Sequence, residues 1–236
     1  MLAIEKLNQF YGESHTLWDL DLDVPAGQCT CVMGRNGVGK TTLLKAVMGE
    51  VNVASGQLRY TGDDQATVEL TKKAVEARSR LGIGYVPQGR QIFPLLTVEE
   101  NLRTGLAARS DGLKKIPERV YELFPVLKEM KHRRGGDLSG GQQQQLAIGR
   151  ALVIEPKLLI LDEPGEGIQP NIVAQIGQVI RQLIKEDGLT VLLVEQKLPF
   201  ARKYADRFVI MDRGRPVAKG EISELSNELI KQHLTV

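Results

Sequence analysis

The sequence predicts a mixed α/β fold with a small antiparallel β-region near its beginning and an inserted helical region. Over most of the 236 residues, segments of strand character alternate with segments of helical period. Short strand-like segments fill residues 1–33, with a Pro-Ala-Gly turn among them. From about residue 90 to residue 155, no strand pattern interrupts the helical one. We therefore expect one domain, 1–236, with a core of residues 1–89 and 156–236 and a helical subdomain of residues 90–155.

Composition and charge favour a globular protein without a strongly charged target. Hydrophobic residues make up 42% and charged residues 25%, and the 31 Lys and Arg residues exceed the 29 Asp and Glu residues by two. A dedicated nucleic-acid binder usually carries a larger, clustered positive charge. No apolar run is long enough to cross a bilayer, so we expect a cytoplasmic protein that meets a membrane only through a partner. Cys29 and Cys31 alternate in an apolar segment and are expected to be buried and reduced.

Up to residue 89 the predicted elements are short and are separated by glycine or proline. Strands are predicted over LAIEKLNQFY, LDLDV and QCTCVM. The segment TTLLKAVM has helical period, and Gly49 stands where that helix would end. Beyond it, GQLRYTG and ATVEL are strand-like. KKAVEARSRLG is predicted to form a basic helix that ends at Gly82, and IGYVP a short buried strand.

Three helical stretches follow, and then strands and helices alternate again. Thr97 and Glu100 form a capping-box pattern at the first stretch, PERVYELFPVLKEM is the second, and the third begins after Ser139. LLILD and TVLLVEQ are predicted as buried strands on either side of a long amphipathic helix. Pro170 lies where the first turn of that helix would be, a position that favours proline. RFVIMDRGRPVAKG is predicted as a hairpin around Gly214, and a short helix lies beyond it.

The strongest local signal is a glycine-rich loop between an apolar strand and a helix. Glycines let successive backbone N–H groups approach phosphate oxygens, and the helix N-terminus adds positive potential. Lys40 would reach the β- and γ-phosphates, Thr41 would ligate Mg²⁺ and Thr42 could bond the α-phosphate. The loop therefore predicts a nucleoside-triphosphate site of the P-loop type. Its pattern, G-x-x-x-x-G-K-[ST], is matched by Gly34, Arg35, Asn36, Gly37, Val38, Gly39, Lys40, Thr41 and Thr42.

A second pattern is an apolar strand that ends in two carboxylates, Asp162 and Glu163. Ligands of open α/β sheets bind at the carboxyl ends of the strands. Asp162 would hold Mg²⁺ directly or through water, and Glu163 would accept a proton from an attacking water molecule. Many apolar strands end in acids, so the glycine-rich loop is what gives this pattern its weight.

A third motif, Leu138-Ser139-Gly140-Gly141-Gln142, lies 24 positions before Asp162 (162 − 138 = 24). Together the three motifs, in this order and spacing, resemble the ATP-binding subunit of an ABC transporter over essentially the whole chain. The resemblance implies a P-loop ATPase that uses ATP and Mg²⁺. It also implies a head-to-tail dimer in which Ser139, Gly140, Gly141 and Gln142 close on the ATP held by the other subunit.

Further positions take their roles from the same resemblance. Tyr11 matches the aromatic residue that stacks on adenine, with a core tyrosine as the alternative interpretation. Gln88 matches the glutamine that contacts Mg²⁺ and water and that joins the core to the helical subdomain, where the family docks its membrane partner. Gln169 and Gln196 stand where many members have aspartate and histidine. An amide such as Gln196 can donate a hydrogen bond to a γ-phosphate, but it cannot become cationic.

The glutamine at position 196 is typical of the ATPases that serve importers of branched-chain amino acids and short amides. Within that group, the chain most resembles the smaller ATPase of the urea importer, with a branched-chain amino acid importer as the alternative. The implied partners are a second ATPase subunit, permease subunits in the membrane and, indirectly, a periplasmic solute-binding protein.

Two other function classes fit the sequence less well. A non-transport ATPase of the same superfamily would act on nucleic acid through basic clusters at 114–115 and 131–134, but aromatic residues do not interleave with these clusters, so we expect no nucleic-acid partner. A GTP switch would need a guanine-reading Asn-Lys-x-Asp element, which the sequence lacks.

Overall fold

The computed structural model describes residues 1–62, 65–109 and 111–234. The strands are β1 (Leu2–Tyr11), β2 (Ser14–Val24), β3 (Cys29–Met33), β4 (Ser55–Thr61), β5 (Thr67–Glu69), β6 (Ile83–Val86), β7 (Leu158–Asp162), β8 (Thr190–Val194), β9 (Arg207–Asp212) and β10 (Arg215–Glu221). The α-helices are α1 (Lys40–Met48), α2 (Val75–Arg80), α3 (Val98–Gly105), α4 (Glu118–Leu123), α5 (Pro125–Glu129), α6 (Gly140–Leu152), α7 (Pro170–Asp187), α8 (Leu198–Tyr204) and α9 (Asn227–His233).

The first sheet is antiparallel and has the order β2-β1-β4-β5. In β1, Leu2, Ile4 and Leu7 are buried while charged residues between them are exposed, which is the alternation expected of a sheet with one packed face. Irregular pairing between β1 and β2 bends this hairpin, whose tip joins Tyr11 to Ser14. The predicted β-region is therefore confirmed.

The second sheet carries the sequence motifs along one edge. Its order is β10-β9-β3-β8-β7-β6, with β9, β3, β8, β7 and β6 parallel and β10 antiparallel. Every residue of β3, β7 and β8 is buried, as a sheet covered on both faces requires. Because these strands are parallel, the segments that follow β3, β6, β7 and β8 all emerge at the same edge.

Helices connect β6 to β7, as the absence of a strand pattern predicts. The capping box of Thr97 and Glu100 begins α3, and Ser139 is the N-cap of α6. The prediction of one helical stretch over PERVYELFPVLKEM is wrong, since that segment forms α4 and α5 with a break at Phe124. Proline restricts the residue before it to extended backbone and lacks an N–H, so Pro125 ends one helix and begins the next.

Smaller differences occur elsewhere. The basic helix α2 begins only at Val75, and β5 is limited to Thr67–Glu69. Helix α8 follows β8 and has no counterpart among the predictions.

The core consists of two apolar layers, one on each side of the second sheet. One layer packs β1, β2 and α1 against the sheet, and the other packs α6, α7 and α8 against the opposite face. Cys29 and Cys31 are free thiols within the second layer, and burial raises the pKa of both. Within 1–62, 65–109 and 111–234, none of the helices has the length and apolar character that a bilayer crossing demands.

Candidate nucleotide-binding site

The glycine-rich loop connects the buried strand β3 directly to helix α1. Gly34, Gly37 and Gly39 all have positive φ, a conformation that side chains other than glycine rarely adopt. A Cβ at Gly34 would lie 2.5 Å from the carbonyl oxygen of Met211, so this position excludes any larger residue. The N-terminus of α1 carries no side-chain cap, so its first N–H groups remain available to an anion.

Lys40 is the first residue of α1 and lies 95% buried, folded back over the loop. Its Nζ donates hydrogen bonds to the carbonyl oxygens of Gly34 and Arg35, both at 2.8 Å. Burial lowers the pKa of Lys40, and the carboxylates of Glu163 and Asp162 oppose that effect. The loop thus holds a buried cation whose hydrogen bonds are made to its own backbone.

Asp162, the last residue of β7, is 2% exposed. Neither of its carboxylate oxygens has a hydrogen-bond partner among the described residues. Burial raises the pKa of Asp162 to about 6, and the Thr41 hydroxyl and Lys40 act in the opposite direction. A buried carboxylate beside a hydroxyl is a suitable oxygen-ligand pair for Mg²⁺, so the residues present fit this metal.

Glu163 follows directly and has a positive φ of 49°, which turns its side chain away from the strand. Its backbone N–H donates to the carbonyl of Val194 at 2.9 Å. Gln196, just beyond β8, donates from Nε2 to Glu163 Oε1 and, at 2.8 Å, to Asn36 Oδ1. Gln196 therefore bridges the glycine-rich loop and the second carboxylate.

Gln88 reaches the same place from the end of β6. Its Nε2 donates to Oε2 of Glu166 at 2.9 Å. Two residues that were not among the predicted site residues, Glu166 and Thr16 of β2, line the cavity together with Gln88. No sequence pattern marks Thr16, because it lies within a strand of the other sheet. Glu166 does have a signal, since it is a further carboxylate in the short loop that follows Glu163.

These groups surround one open cavity of about 350 Å³. Helix α1 closes it on one side, and the ends of β6, β7 and β8 close it on the other. Of the predicted loop residues, Arg35 is exposed outside this lining and Val38 packs into the core beneath the loop. The residues that line it are Thr16, Asn36, Gly37, Gly39, Lys40, Thr41, Thr42, Gln88, Glu163, Glu166 and Gln196.

A larger cavity, of about 570 Å³, lies between the helical region and the core, away from every motif. The buried guanidinium of Arg109 at its rim is bonded to Asp111, to Glu155 and to the carbonyl of Val153. Since these groups satisfy one another, we place the chemistry at the smaller cavity. Asp162 is not itself among the lining residues, but its buried carboxylate lies beside Thr41 and Glu163, which are, and it has no hydrogen-bond partner among the described residues.

A family model described as "ABC transporter" matches residues 17–166. This range includes the glycine-rich loop, both carboxylates and the motif Leu138-Ser139-Gly140-Gly141-Gln142, which we name the signature loop. The chain belongs to the ABC transporter family. The high-affinity branched-chain amino acid transport ATP-binding protein BraG of Pseudomonas aeruginosa is 44% identical over 92% of this chain and 91% of its own length. The probable branched-chain amino acid transport ATP-binding protein LivF of Archaeoglobus fulgidus is 38% identical over 95% and 94%.

Solved structures agree on the fold of this ABC ATPase. A nucleotide-free ATP-binding cassette from an ABC transporter superimposes with a TM-score of 0.82 and 27% identity, covering 99% of this chain and 94% of that one. The prediction of an ABC ATPase fold, with an antiparallel sheet and an inserted helical part, is therefore confirmed.

The signature residues of the ABC ATPase do not lie on the cavity of their own chain. The Ser139 hydroxyl accepts from the Gln142 N–H at 3.4 Å, and Gln142 Oε1 accepts from the Ser139 N–H at 2.9 Å. Gly141 is buried against Ile172, where a Cβ would meet a methyl group at 3.0 Å, while Gly140 lies beside the Arg90 guanidinium. The predicted role of these residues toward another subunit's ATP stays a prediction.

Tyr11 ends β1 and is 48% exposed, so the alternative interpretation of a core tyrosine is wrong. Tyr11 is not among the residues that line the cavity. Thr16, on the second strand of the same hairpin, does line it, so the hairpin that carries Tyr11 borders the site.

Proposed function

We propose that this ABC ATPase is the energy-coupling subunit of an importer of branched-chain amino acids. The observation that carries the proposal is the 44% identity to a high-affinity branched-chain amino acid transport ATP-binding protein, which extends over nine-tenths of both chains. A second branched-chain relative, from an archaeon, supports the same cargo. The urea importer was the first expectation from the sequence, and these relatives favour its stated alternative.

ATP binding is assigned to the loop and helix α1. Phosphate oxygens would replace the carbonyls of Gly34 and Arg35 as acceptors for Lys40, while the N–H groups at the start of α1 would bond the remaining oxygens. Tyr11 would stack on the adenine. The buried ammonium group of Lys40 would then donate its hydrogen bonds to phosphate oxygens in place of the loop carbonyls.

Thr41, Asp162 and Gln88 would hold Mg²⁺, because they offer a hydroxyl, a buried carboxylate and an amide oxygen at one edge of the sheet. When bound, the metal would neutralise charge on the phosphate oxygens. Its contribution to this chain is also electrostatic, since it would compensate the buried carboxylate of Asp162.

Hydrolysis is assigned to Glu163. Water attacks the γ-phosphorus, a new P–O bond forms, and the bond to the β-phosphate oxygen breaks to release ADP. Glu163 accepts the proton of that water, and Gln196, already bonded to Glu163, orients the carboxylate and can donate to the γ-phosphate. The amide at position 196 performs this without taking up a proton.

The working unit would be a head-to-tail dimer with a second ATPase subunit. Ser139 is exposed at the N-terminus of α6, and its hydroxyl proton is left for a γ-phosphate because the capping box uses only its oxygen as acceptor. ATP and ADP bias the dimer differently, because only ATP supplies the third phosphate.

The permease would dock in a groove between the core and the helical region, at the cytoplasmic face of the membrane. This groove, of about 700 Å³, is lined by α2, by the loop after Gln88 and by α6, and it includes Phe93, which is 47% exposed. Leu95 beside it is 79% exposed. We expect Phe93→Asp to prevent co-purification with the permease, whereas Leu113→Asp, a matched change at an exposed leucine outside the groove, leaves it intact.

The cargo is tested by reconstituting this subunit with its permease and solute-binding protein in liposomes. Leucine, isoleucine or valine should stimulate ATP turnover, and urea should not. If only urea stimulated ATP turnover, the cargo would be urea or a short amide, and the proposed branched-chain cargo would be wrong. No ATP turnover with any solute, despite full assembly, would remove the energy-coupling role.

A further inference from the structure

Glu166 is the one carboxylate of the cavity to which the mechanism above gives no role. It lies four residues after Asp162, in the loop between β7 and α7, and its Oε2 accepts a hydrogen bond from Gln88 Nε2 at 2.9 Å. The two residues are 78 positions apart in the sequence. The contact therefore joins the loop after β6 to the loop after β7.

Several hydrogen bonds fix the position of Glu166 itself. Its backbone N–H donates to the Glu163 carbonyl at 3.1 Å, and its own carbonyl accepts from Arg90 Nη2 at 3.4 Å. Arg90 also donates to Gln143 of α6 at 3.2 Å. One residue earlier, the carbonyl of Gly165 accepts from Lys197 Nζ at 2.7 Å. The loop thus presents the Glu166 carboxylate from an anchored backbone.

The chemistry of the pair decides which way the Gln88 amide faces. A carboxylate can only accept, so Gln88 must turn its NH₂ toward Glu166. The carbonyl oxygen of the same amide then points away from Glu166, and this oxygen is the only atom of the side chain that can ligate Mg²⁺ or accept from a water molecule. Without Glu166, the amide could present either end.

We propose that Glu166 is a positioning residue that orients Gln88, so that its carbonyl oxygen faces the Mg²⁺ of the bound nucleotide. The proposal rests on the proposed function, since it deepens the role given there to Gln88. Partners that orient the ligands of a metal typically contribute 10- to 100-fold to affinity or activity. We expect a smaller effect, about 3- to 10-fold, because one hydrogen bond to an exposed amide is involved.

The experiment measures binding of a non-hydrolysable ATP analogue to the full chain, once as its Mn²⁺ complex and once in EDTA, with Mn²⁺ paramagnetic resonance as a second readout. Glu166→Ala should weaken the Mn²⁺ complex by about 3- to 10-fold and leave binding in EDTA unchanged. Glu166→Gln retains an acceptor oxygen and should recover at least half of that loss. Glu129→Gln, at an exposed glutamate of α5, serves as the control.

A double-mutant cycle completes the test. In a Gln88→Ala background, Glu166→Ala should have no further effect on the Mn²⁺ complex. Equal losses in Glu166→Ala and Glu166→Gln would show that only the negative charge matters and would overturn the proposal. An unchanged Mn²⁺ affinity in both variants would also overturn it. If the wild-type chain binds neither form of the analogue, the proposed function fails instead.

Discussion

The cavity and the signature loop satisfy their polar groups in opposite ways. At the cavity, Lys40 is bonded to its own loop, and the carboxylate of Asp162 is buried beneath the lining without a hydrogen-bond partner among the described residues. In the signature loop, Ser139 and Gln142 bond each other reciprocally, and Gln143 donates to the carbonyls of Gly135 and Leu138. Among the described residues, the first region leaves a buried carboxylate without a hydrogen bond, whereas the second satisfies these polar groups within the chain.

Under the proposed function, this difference separates the half of the ATP site that one chain supplies from the half that a second chain would supply. Burying a carboxylate without a hydrogen-bond partner is costly, and a ligand that supplies the partner recovers part of that cost when it binds. The signature loop has no comparable unpaired buried charge, so a ligand bound to its own chain would not stabilise it in this way. We therefore expect nucleotide affinity to depend on the cavity and dimer formation to depend on the signature loop.

The largest effect is expected from Glu163→Gln. Removing the proton acceptor should lower ATP hydrolysis by roughly 10²- to 10⁴-fold, while ATP affinity stays within a few-fold of wild type. Phosphate release, measured with the partner ATPase present, gives the rate, and a binding titration gives the affinity. Equal rates in the two proteins would remove Glu163 from the mechanism.

The second prediction concerns Lys40. Lys40→Met removes charge-assisted hydrogen bonds to phosphate but keeps the length of the side chain, so ATP affinity should fall by about 100-fold. Lys45→Met, in the last turn of the same helix, is the matched control and should retain affinity. If the ATP affinity of Lys40→Met lay within threefold of wild type, the assignment of the phosphates to Lys40 and the glycine-rich loop would be contradicted.

The third prediction concerns pH and Asp162. Burial raises the pKa of this carboxyl from 3.8 to about 6, so between about pH 4 and pH 6 the native chain holds a proton that the unfolded chain has lost. The free energy of unfolding in EDTA should therefore fall as the pH rises through this window. Asp162→Asn removes this contribution and should stabilise the chain at pH 7.5 by roughly 2 kcal/mol.

Urea unfolding between pH 4 and pH 8 measures this effect. The wild-type and Asp162→Asn curves should converge near pH 4, diverge between pH 4 and pH 6, and stay a constant distance apart above pH 6. In Mg²⁺ and ATP the order should reverse, because only the carboxylate gains from the metal. Parallel curves at every pH would show that Asp162 is not the group responsible.

The parts of the cavity that the sequence predicted share one cause. The glycine-rich loop, Gln88, Glu163 and Gln196 each follow a buried apolar strand, and parallel strands bring their carboxyl ends to one edge. Apolar runs of four to five residues were sufficient to locate those strands. The structure confirms these four predicted strands, β3, β6, β7 and β8.

The parts that sequence reasoning missed depend on contacts between distant segments. Thr16 reaches the cavity because β2 of the other sheet is tied to the β9–β10 hairpin, where the Trp18 N–H donates to the Gly214 carbonyl at 3.0 Å. Glu166 gains its meaning only from Gln88, 78 positions earlier. No local pattern encodes either contact. The break at Phe124 differs from them, because Pro125 is a local signal for it within the helical period.

The smallest effect is expected from a comparison of two capping boxes in the helical region, those of Thr97 and Ser139. Ser139→Ala and Thr97→Ala each remove a hydroxyl that accepts from the third residue of a helix, so each should lower the free energy of unfolding by about 1 kcal/mol. Only Ser139 belongs to the signature loop. Ser139→Ala should therefore also weaken ATP-dependent association with the partner ATPase, measured by sedimentation, while Thr97→Ala leaves it unchanged. Equal association of both variants would mean that Ser139 serves α6 alone, and the contrast between the two regions would then lie in the cavity only.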